Sequence, residues 1–308
     1  MRARPDPAQL DDPQPGERSC LMRCSGHLSS WTSVARHAGA FADDQRILLF
    51  LAYRRVVMSS VLELEVIDHC LVMTLNRPER RNAVNAELGN LLVAALERLD
   101  EDRGLRAGVL VANGPTFCAG MDLKDFMTSG PPRGLFKFVR RGSAKPLVAG
   151  IAGQAYAGGL EIALACDVVI ASPTASFGLP EVGRGLIAGA GGIYRLPRKV
   201  GEGLANLMVL TGQPIDAQEA YRSGLVSVLV DDEADLYGRT LAVAKRMAEM
   251  SPLAVRSSKR LLELGRDVSF SDYWDLQRPF MNEIGAAPDA MEGARAFVER
   301  RPAVWQTD

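Results

Sequence analysis

Residues 62–67 read LELEVI, alternating apolar and acidic positions as a half-buried strand requires. The apolar run LVMTLN at 71–76 follows immediately after Asp68-His69, so the pair predicts a hairpin closed by a tight turn. The rhythm then changes. In AELGNLLVAALERLDED, residues Leu88, Leu91, Leu92, Ala95, Leu96 and Leu99 recur at the spacing of one helical face. RAGVLVAN (106–113), PLVAGIAG (146–153) and DVVIAS (167–172) are apolar runs without alternation, the mark of strands covered on both faces, and Gly114-Pro115 ends the first of them. Helical segments between these runs predict parallel neighbours in βαβ units. Beyond residue 200 the pattern is mostly helical, through roughly 203–210, 216–223, 233–250, 252–265, 270–285 and 288–298.

Residues 1–57 break with this order. They hold eight Arg and no Lys, Pro-rich and Ser/Thr-rich pieces, and no sustained period. The apolar ILLFLAY (47–53) is too short to span a bilayer, and six acidic residues argue against a mitochondrial presequence. The stretch reads as a disordered extension, or as an over-long start with Met58 as the natural first residue; mass spectrometry of the native N-terminus separates the two. The expected organisation is therefore an extension over 1–57, a strand-rich core over 58–200 and a helical region over 201–308.

Composition narrows the chemistry. At 308 residues, 47% hydrophobic, 24% charged and with a net charge of -1, the chain is an ordinary globular protein without a broad basic footprint for nucleic acid. Its three histidines are His27, His37 and His69, so no imidazole is available after residue 69. A Ser-His-Asp or Cys-His arrangement within the main body is excluded, and a histidine metal site is disfavoured. The five cysteines (20, 24, 70, 118 and 166) are odd in number and irregularly spaced, which suits free thiols in a reducing cytoplasm. Cys20, Cys24 and His27 lack a fourth ligand, and no metal site is expected.

Within AGGLEIALAC (157–166) a single carboxylate, Glu161, stands among small and apolar residues. Following a strand, Gly158-Gly159 would open a helix whose first N–H groups are unpaired and uncovered, with Glu161 one turn away. FCAGMDLKDF (117–126) makes a similar junction after a buried strand, where Ala119-Gly120 exposes bare backbone before Met121 and Asp122. Two N–H groups from such junctions can converge on one carbonyl oxygen as an oxyanion hole. FGLPEV (177–182) adds Glu181 among apolar neighbours, and two glutamates on one cavity can divide acid and base roles. Taken singly, each glutamate reads as a helix-end cap or half of a buried ion pair; it is the two junctions and two acids together that favour a site. GRGLIAGAGG (183–192) lacks the preceding strand of a dinucleotide fingerprint and reads as a tight loop feeding a helix. The basic runs RPERR (77–81) and KFVRR (137–141) read as solvated faces unless a site lies near, where they would hold phosphates.

In order and spacing, LNRPERRNAVN, FCAGMDLKDF, AGGLEIALACDVVIAS, FGLPEVGRGLIAGAGGIYRLPR and GLVSVLV resemble the enoyl-CoA hydratase/isomerase (crotonase) family, over about residues 60–306. The closing EGARAFVERRPAVW resembles that family's C-terminus. The resemblance implies an α/β fold, a spiral of ββα units with a helical C-terminal region that assembles trimers, often doubled to hexamers. It implies an oxyanion hole from the N–H groups of Met121 and Gly158. It implies that Met121, Asp122, Leu123 and Lys124, with Asn82 and Ala83, line the end of the site that takes coenzyme A, with Arg81 near its phosphates. Ala119, Gly120, Gly159 and Pro180 complete the substrate-binding set. The hydratase branch separates its two glutamates by 20 positions, as Glu161 and Glu181 are separated here. Ala157 stands where the family usually has Gly, and Met121 where a smaller residue is common.

The resemblance therefore implies a cytoplasmic enzyme adding water across a trans-2-enoyl-CoA to give a 3-hydroxyacyl-CoA, with no metal or redox cofactor and no membrane or nucleic-acid partner. Carnitinyl-CoA dehydration and enoyl-CoA isomerisation are the alternatives within the fold. A non-catalytic CoA-binding or RNA-binding paralogue is the alternative outside catalysis. The far wall of the acyl pocket is expected from the segment around 125–145 and from the C-terminal helices.

Overall fold

The computed structural model describes residues 55–306, with side chains from residue 60 onward. A seven-stranded sheet forms the centre, in the order β1-β2-β3-β4-β5-β7-β10. Strands β1 (Arg55–Ser59), β2 (Leu62–Ile67) and β3 (Cys70–Leu75) form an antiparallel meander. β4 (Ala107–Ala112), β5 (Leu147–Ile151), β7 (Val168–Ala171) and β10 (Val228–Leu229) continue it in parallel. The predicted hairpin is present: Ile67 pairs with Cys70, and Asp68 turns the chain with φ +54°. β1 begins inside the stretch expected as an extension, and the rest of that extension lies outside the described residues.

The parallel strands are apolar throughout because both sheet faces are covered, and alternate side chains go to separate cores. Leu71, Met73, Leu110, Ala149 and Val169 enter the larger cluster; Val72, Val109, Val148 and Ile170 enter the other. Helix α1 (Ala86–Glu101) covers the first face with Leu88, Leu92, Ala95, Leu96 and Leu99, all fully buried. It starts where Asn85 accepts the Leu88 N–H at 2.9 Å, satisfying one orphan donor of the first turn.

A smaller sheet of β6 (Gln154–Tyr156), β8 (Ser176–Gly178) and β9 (Ile215–Asp216) stands beside the large one, and its short strands gave no separate apolar signal. Around the sheets lie α2 (Leu123–Ser129), α3 (Arg133–Arg141), α4 (Gly158–Ala165), α5 (Gly192–Val200), α6 (Glu202–Thr211) and α7 (Ala217–Arg222). Helix α8 (Leu236–Ala248) lies over β3, β4, β5 and β7, burying Leu236 and Ala244 in the second core. Helix α9 (Pro252–Leu264) is tied down by buried Lys259, which reaches the Asp167 carboxylate at 2.7 Å and the Lys145 carbonyl at 3.0 Å. α10 (Phe270–Ala286) and α11 (Pro288–Glu299) end the chain and expose Phe270, Trp274, Phe297 and Val298. No helix among the described residues is long and apolar enough to cross a membrane.

Candidate functional site

The sequence places two strand-to-loop junctions side by side. After β5 the chain forms β6, turns at Ala157 and enters α4 at Gly158. The 117–122 segment lies against it: the Cys118 N–H donates to the Gln154 carbonyl at 2.9 Å, and the Tyr156 N–H to the Cys118 carbonyl at 3.0 Å. Gly120 takes φ +100°, a backbone state that costs glycine nothing. A methyl group there would meet the Ala157 Cβ at 2.7 Å and approach the Gly158 nitrogen to 3.2 Å. One on Gly158 would stand 3.6 Å from the Met121 nitrogen. The two amides are therefore neighbours, and neither donates to an acceptor among the described residues.

What fixes Met121 is a clamp around it. Val84 donates to the Gly120 carbonyl at 2.7 Å and accepts from the Asp122 N–H at 2.9 Å, so Met121 is held from both sides. The Arg77 guanidinium donates to the Ala83 carbonyl and pairs with Asp122 at 3.2 Å, largely out of solvent. Asp122 also caps α2 by accepting the N–H groups of Lys124 and Asp125. Burial opposes the charge on Asp122, yet these N–H groups and Arg77 together hold its carboxyl below the usual range.

Glu161 lies in the first turn of α4 and is 3% exposed. Its Oε1 accepts the Gly192 N–H at 2.9 Å. Burial raises its pKa, against the pull of the Gly192 and Ala190 N–H groups and of Arg195. Glu181 sits on a 3-10 turn, Pro180–Arg184, half-buried, with an Oε2 that is buried and has no hydrogen-bond partner among the described residues. Burial, with the charge of Glu161 added, pushes its pKa up to about 7; its own N–H and Arg184 act in the opposite direction. Both acids line one cavity of about 660 Å3 with Met121 and Gly158. A carboxyl that holds its proton well above the usual carboxylate range therefore lines one cavity with a second, hydrogen-bonded carboxyl and an unpaired amide pair, the parts needed to move protons next to a polarised carbonyl.

Most of the expected substrate-binding residues line this cavity. Arg81, Ala83, Ala119, Asp122, Leu123, Lys124 and Pro180 join the four functional groups there. Three do not. Asn82 is fully buried, donating to the carbonyls of Asn113 and Thr116 and accepting the Arg77 N–H, so it fixes the 77–84 turn and contacts no ligand space. Gly120 and Gly159 contribute close packing: a methyl on Gly159 would stand 2.2 Å from the Cys118 carbonyl oxygen. The far wall comes from α2 and α3, through Phe126, Pro131, Leu135 and Phe136, and from Leu186 and Ile187. The C-terminal helices, expected to share that wall, contribute no lining residue within the chain.

Sequence reading missed Gly192 and Arg195. Gly192 approaches Glu161 so closely that a Cβ would stand 3.1 Å from its Oε1. The Arg195 guanidinium donates to the carbonyls of Val139 at 2.6 Å and Ala190 at 3.5 Å, steadying the loop that brings Gly192 to the carboxylate. The Gly191-Gly192 pair ahead of IYRLPR was the available signal.

A family model described as enoyl-CoA hydratase/isomerase matches residues 67–308. The chain is 38% identical over 237 residues to a 2,3-dehydroadipyl-CoA hydratase of Escherichia coli K12, covering 75% of this chain and 92% of that protein. It is likewise 38% identical over 249 residues to an (E)-benzylidenesuccinyl-CoA hydratase of Thauera aromatica, covering 77% and 96%. A solved enoyl-CoA hydratase from Mycobacterium tuberculosis H37Rv superposes with a TM-score of 0.77 at 38% identity, over 80% of this chain and 99% of that one.

Proposed function

The chain belongs to the enoyl-CoA hydratase/isomerase family and is an enzyme of the hydratase type, and from that premise we propose that it hydrates a trans-2-enoyl-CoA through Glu161, Glu181 and the amides of Met121 and Gly158. The thioester oxygen lies between the two N–H groups. Glu161 takes a proton from water as the water oxygen bonds to Cβ. The alkene electron pair moves toward the thioester, whose oxygen gains enolate charge that the amides stabilise. Glu181 then gives its proton to Cα, leaving a 3-hydroxyacyl-CoA; exchange with solvent restores both acids. Charge develops next to preorganised donors, where losing one N–H costs roughly 3–4 kcal/mol.

One observation carries this reading: two acids of raised pKa and two unpaired amides border a single cavity. Retention of both acids favours water chemistry over isomerisation. Arg81 and Lys124 at the cavity take the phosphates of coenzyme A, while Phe126, Leu135, Phe136 and Ile187 receive the acyl chain. No bound cofactor takes part in these steps. A homotrimer, or a hexamer of two trimers, is supported by the apolar side chains exposed on α10 and α11, and a cytoplasmic location by the free thiols of Cys70, Cys118 and Cys166.

Loss of the conjugated thioester absorbance across a panel of enoyl-CoA esters tests the proposal, the panel including dicarboxylyl esters. Hydration of at least one 2-enoyl ester at enzymatic rates supports it. Isomerisation of a 3-enoyl ester with no hydration of any 2-enoyl ester would replace it.

A further inference from the structure

A second cavity, of about 1190 Å3, shares no lining residue with the first. It lies between the C-terminal end of α3, helix α5, helix α9 and the turn at Arg266-Asp267. Eight cationic side chains face three carboxylates in its wall. All three carboxylates are engaged: Asp167 with Lys259 at 2.7 Å, Asp267 with Arg198 at 3.3 Å and Glu263 with Arg260 at 3.3 Å. Arg141 pairs with Asp100 at 2.8 Å. Arg140, Arg195, Lys199 and Arg266 have no carboxylate partner among the described residues. Arg195 is held in place by the neutral carbonyls of Val139 and Ala190, and the carboxylates that act on it, Glu161 and Glu263, do so from beyond ion-pair reach.

These charges are close enough to oppose one another. Burial first, and then the charge of Arg266, holds both Lys199 and Arg195 below their ordinary ranges. Like charges crowded into a partly desolvated concave wall produce a strong local potential that concentrates anions. A single small anion would leave most of that charge unbalanced, whereas linked phosphates can span it. Guanidinium forks and an ammonium match phosphate oxygens in geometry and charge. The volume is larger than one phosphate needs and on the scale of small-molecule sites. Arg140 and Arg141 belong to the KFVRR run, to which the reaction assigns no part.

We propose that this cavity binds a small polyphosphate anion, with Arg140, Lys199 and Arg266 contacting its phosphates and Arg195 as a fixed positive floor. Arg195 is shared with the support of Glu161 through the Gly192 loop, but Arg140, Lys199 and Arg266 take no part in the hydration steps, and the proposal stands whether or not those steps are correct.

Calorimetric titration of the full chain with sodium pyrophosphate, at fixed ionic strength, tests it. Saturable binding is expected, with orthophosphate weaker by about tenfold or more. In the double variant Lys199→Gln/Arg266→Gln, pyrophosphate affinity should fall by about tenfold or more. Arg246→Gln, which removes an exposed cation outside both cavities, should leave it unchanged. Circular dichroism checks that the double variant is folded; if it is not, the two single variants should each show a partial loss. Absence of saturable binding, equal affinity for orthophosphate, full binding by the folded variants of Lys199 and Arg266, or loss of binding in Arg246→Gln would each overturn the proposal.

Discussion

The Gly192 N–H donates to Glu161 Oε1 at 2.9 Å, and a side chain at 192 would crowd that carboxylate. A Cβ at 192 would stand 3.1 Å from both Cγ and Oε1 of Glu161 and 3.0 Å from Leu179 Cδ1. Gly192→Ala should therefore tilt the carboxylate, lowering stability by about 1–3 kcal/mol and kcat by about tenfold or more. Thermal unfolding and steady-state hydration kinetics check both effects; an unchanged kcat would show that the carboxylate's orientation is not critical.

Arg77 braces the other half of the proposed oxyanion hole through Ala83 and Asp122. Removing it leaves Asp122 unpaired in a largely dry position and frees one side of the Met121 clamp. Arg77→Gln should cost about 3 kcal/mol and lower kcat more than it raises KM. The absorbance of a bound dienoyl-CoA reports how strongly its thioester carbonyl is polarised. That band should shift less far to the red in the variant than in the parent.

Ala157 carries backbone strain at the turn that leads into Gly158. It takes φ +50° and ψ -127°, a region that glycine enters freely and alanine does not. Ala157→Gly should raise stability by about 1 kcal/mol with activity retained. A lower melting temperature would show that its methyl packing outweighs the backbone cost.

The raised pKa of Glu181 has two consequences of definite sign. As the proposed proton donor it must enter the reaction protonated, so kcat/KM for hydration should decline as pH rises through about 7. The folded chain also binds this proton more tightly than the unfolded one, whose carboxyl has the ordinary value of 4.5. The stability it contributes is complete below that value and is lost as pH rises through about 7. Glu161 adds a slope of the same sign. Glu181→Gln should therefore lose less melting temperature between pH 5 and pH 8 than the parent does. Its hydration rate should be at least about two orders of magnitude lower.

Much of this arrangement was legible in the residue pattern, and the parts that were not share a physical cause. Strands such as LELEVI and helices such as Ala86–Glu101 bury one face or two, and burial writes itself into periodicity. Glu161 was conspicuous because a lone carboxylate in an apolar helix start requires a reason. Its partner was not. Gly192 lies 31 positions away, and its role is the absence of a side chain. Asn82 misled for a related reason: the resemblance places it at the coenzyme A end, whereas its side-chain hydrogen bonds close the 77–84 turn and tie it to Asn113 and Thr116. The strand Arg55–Ser59 was hidden because its partner β2 supplies the alternation and it supplies little of its own.

A crystal structure of the protein with a slowly reacting acyl-CoA thioester shows most directly whether two amides grip one carbonyl between the two acids. The expected result is a thioester oxygen within about 3.1 Å of the nitrogens of both Met121 and Gly158, with the Cα–Cβ bond between Glu161 and Glu181. A carbonyl bound elsewhere, or a Cα–Cβ bond out of reach of either carboxyl, would contradict it.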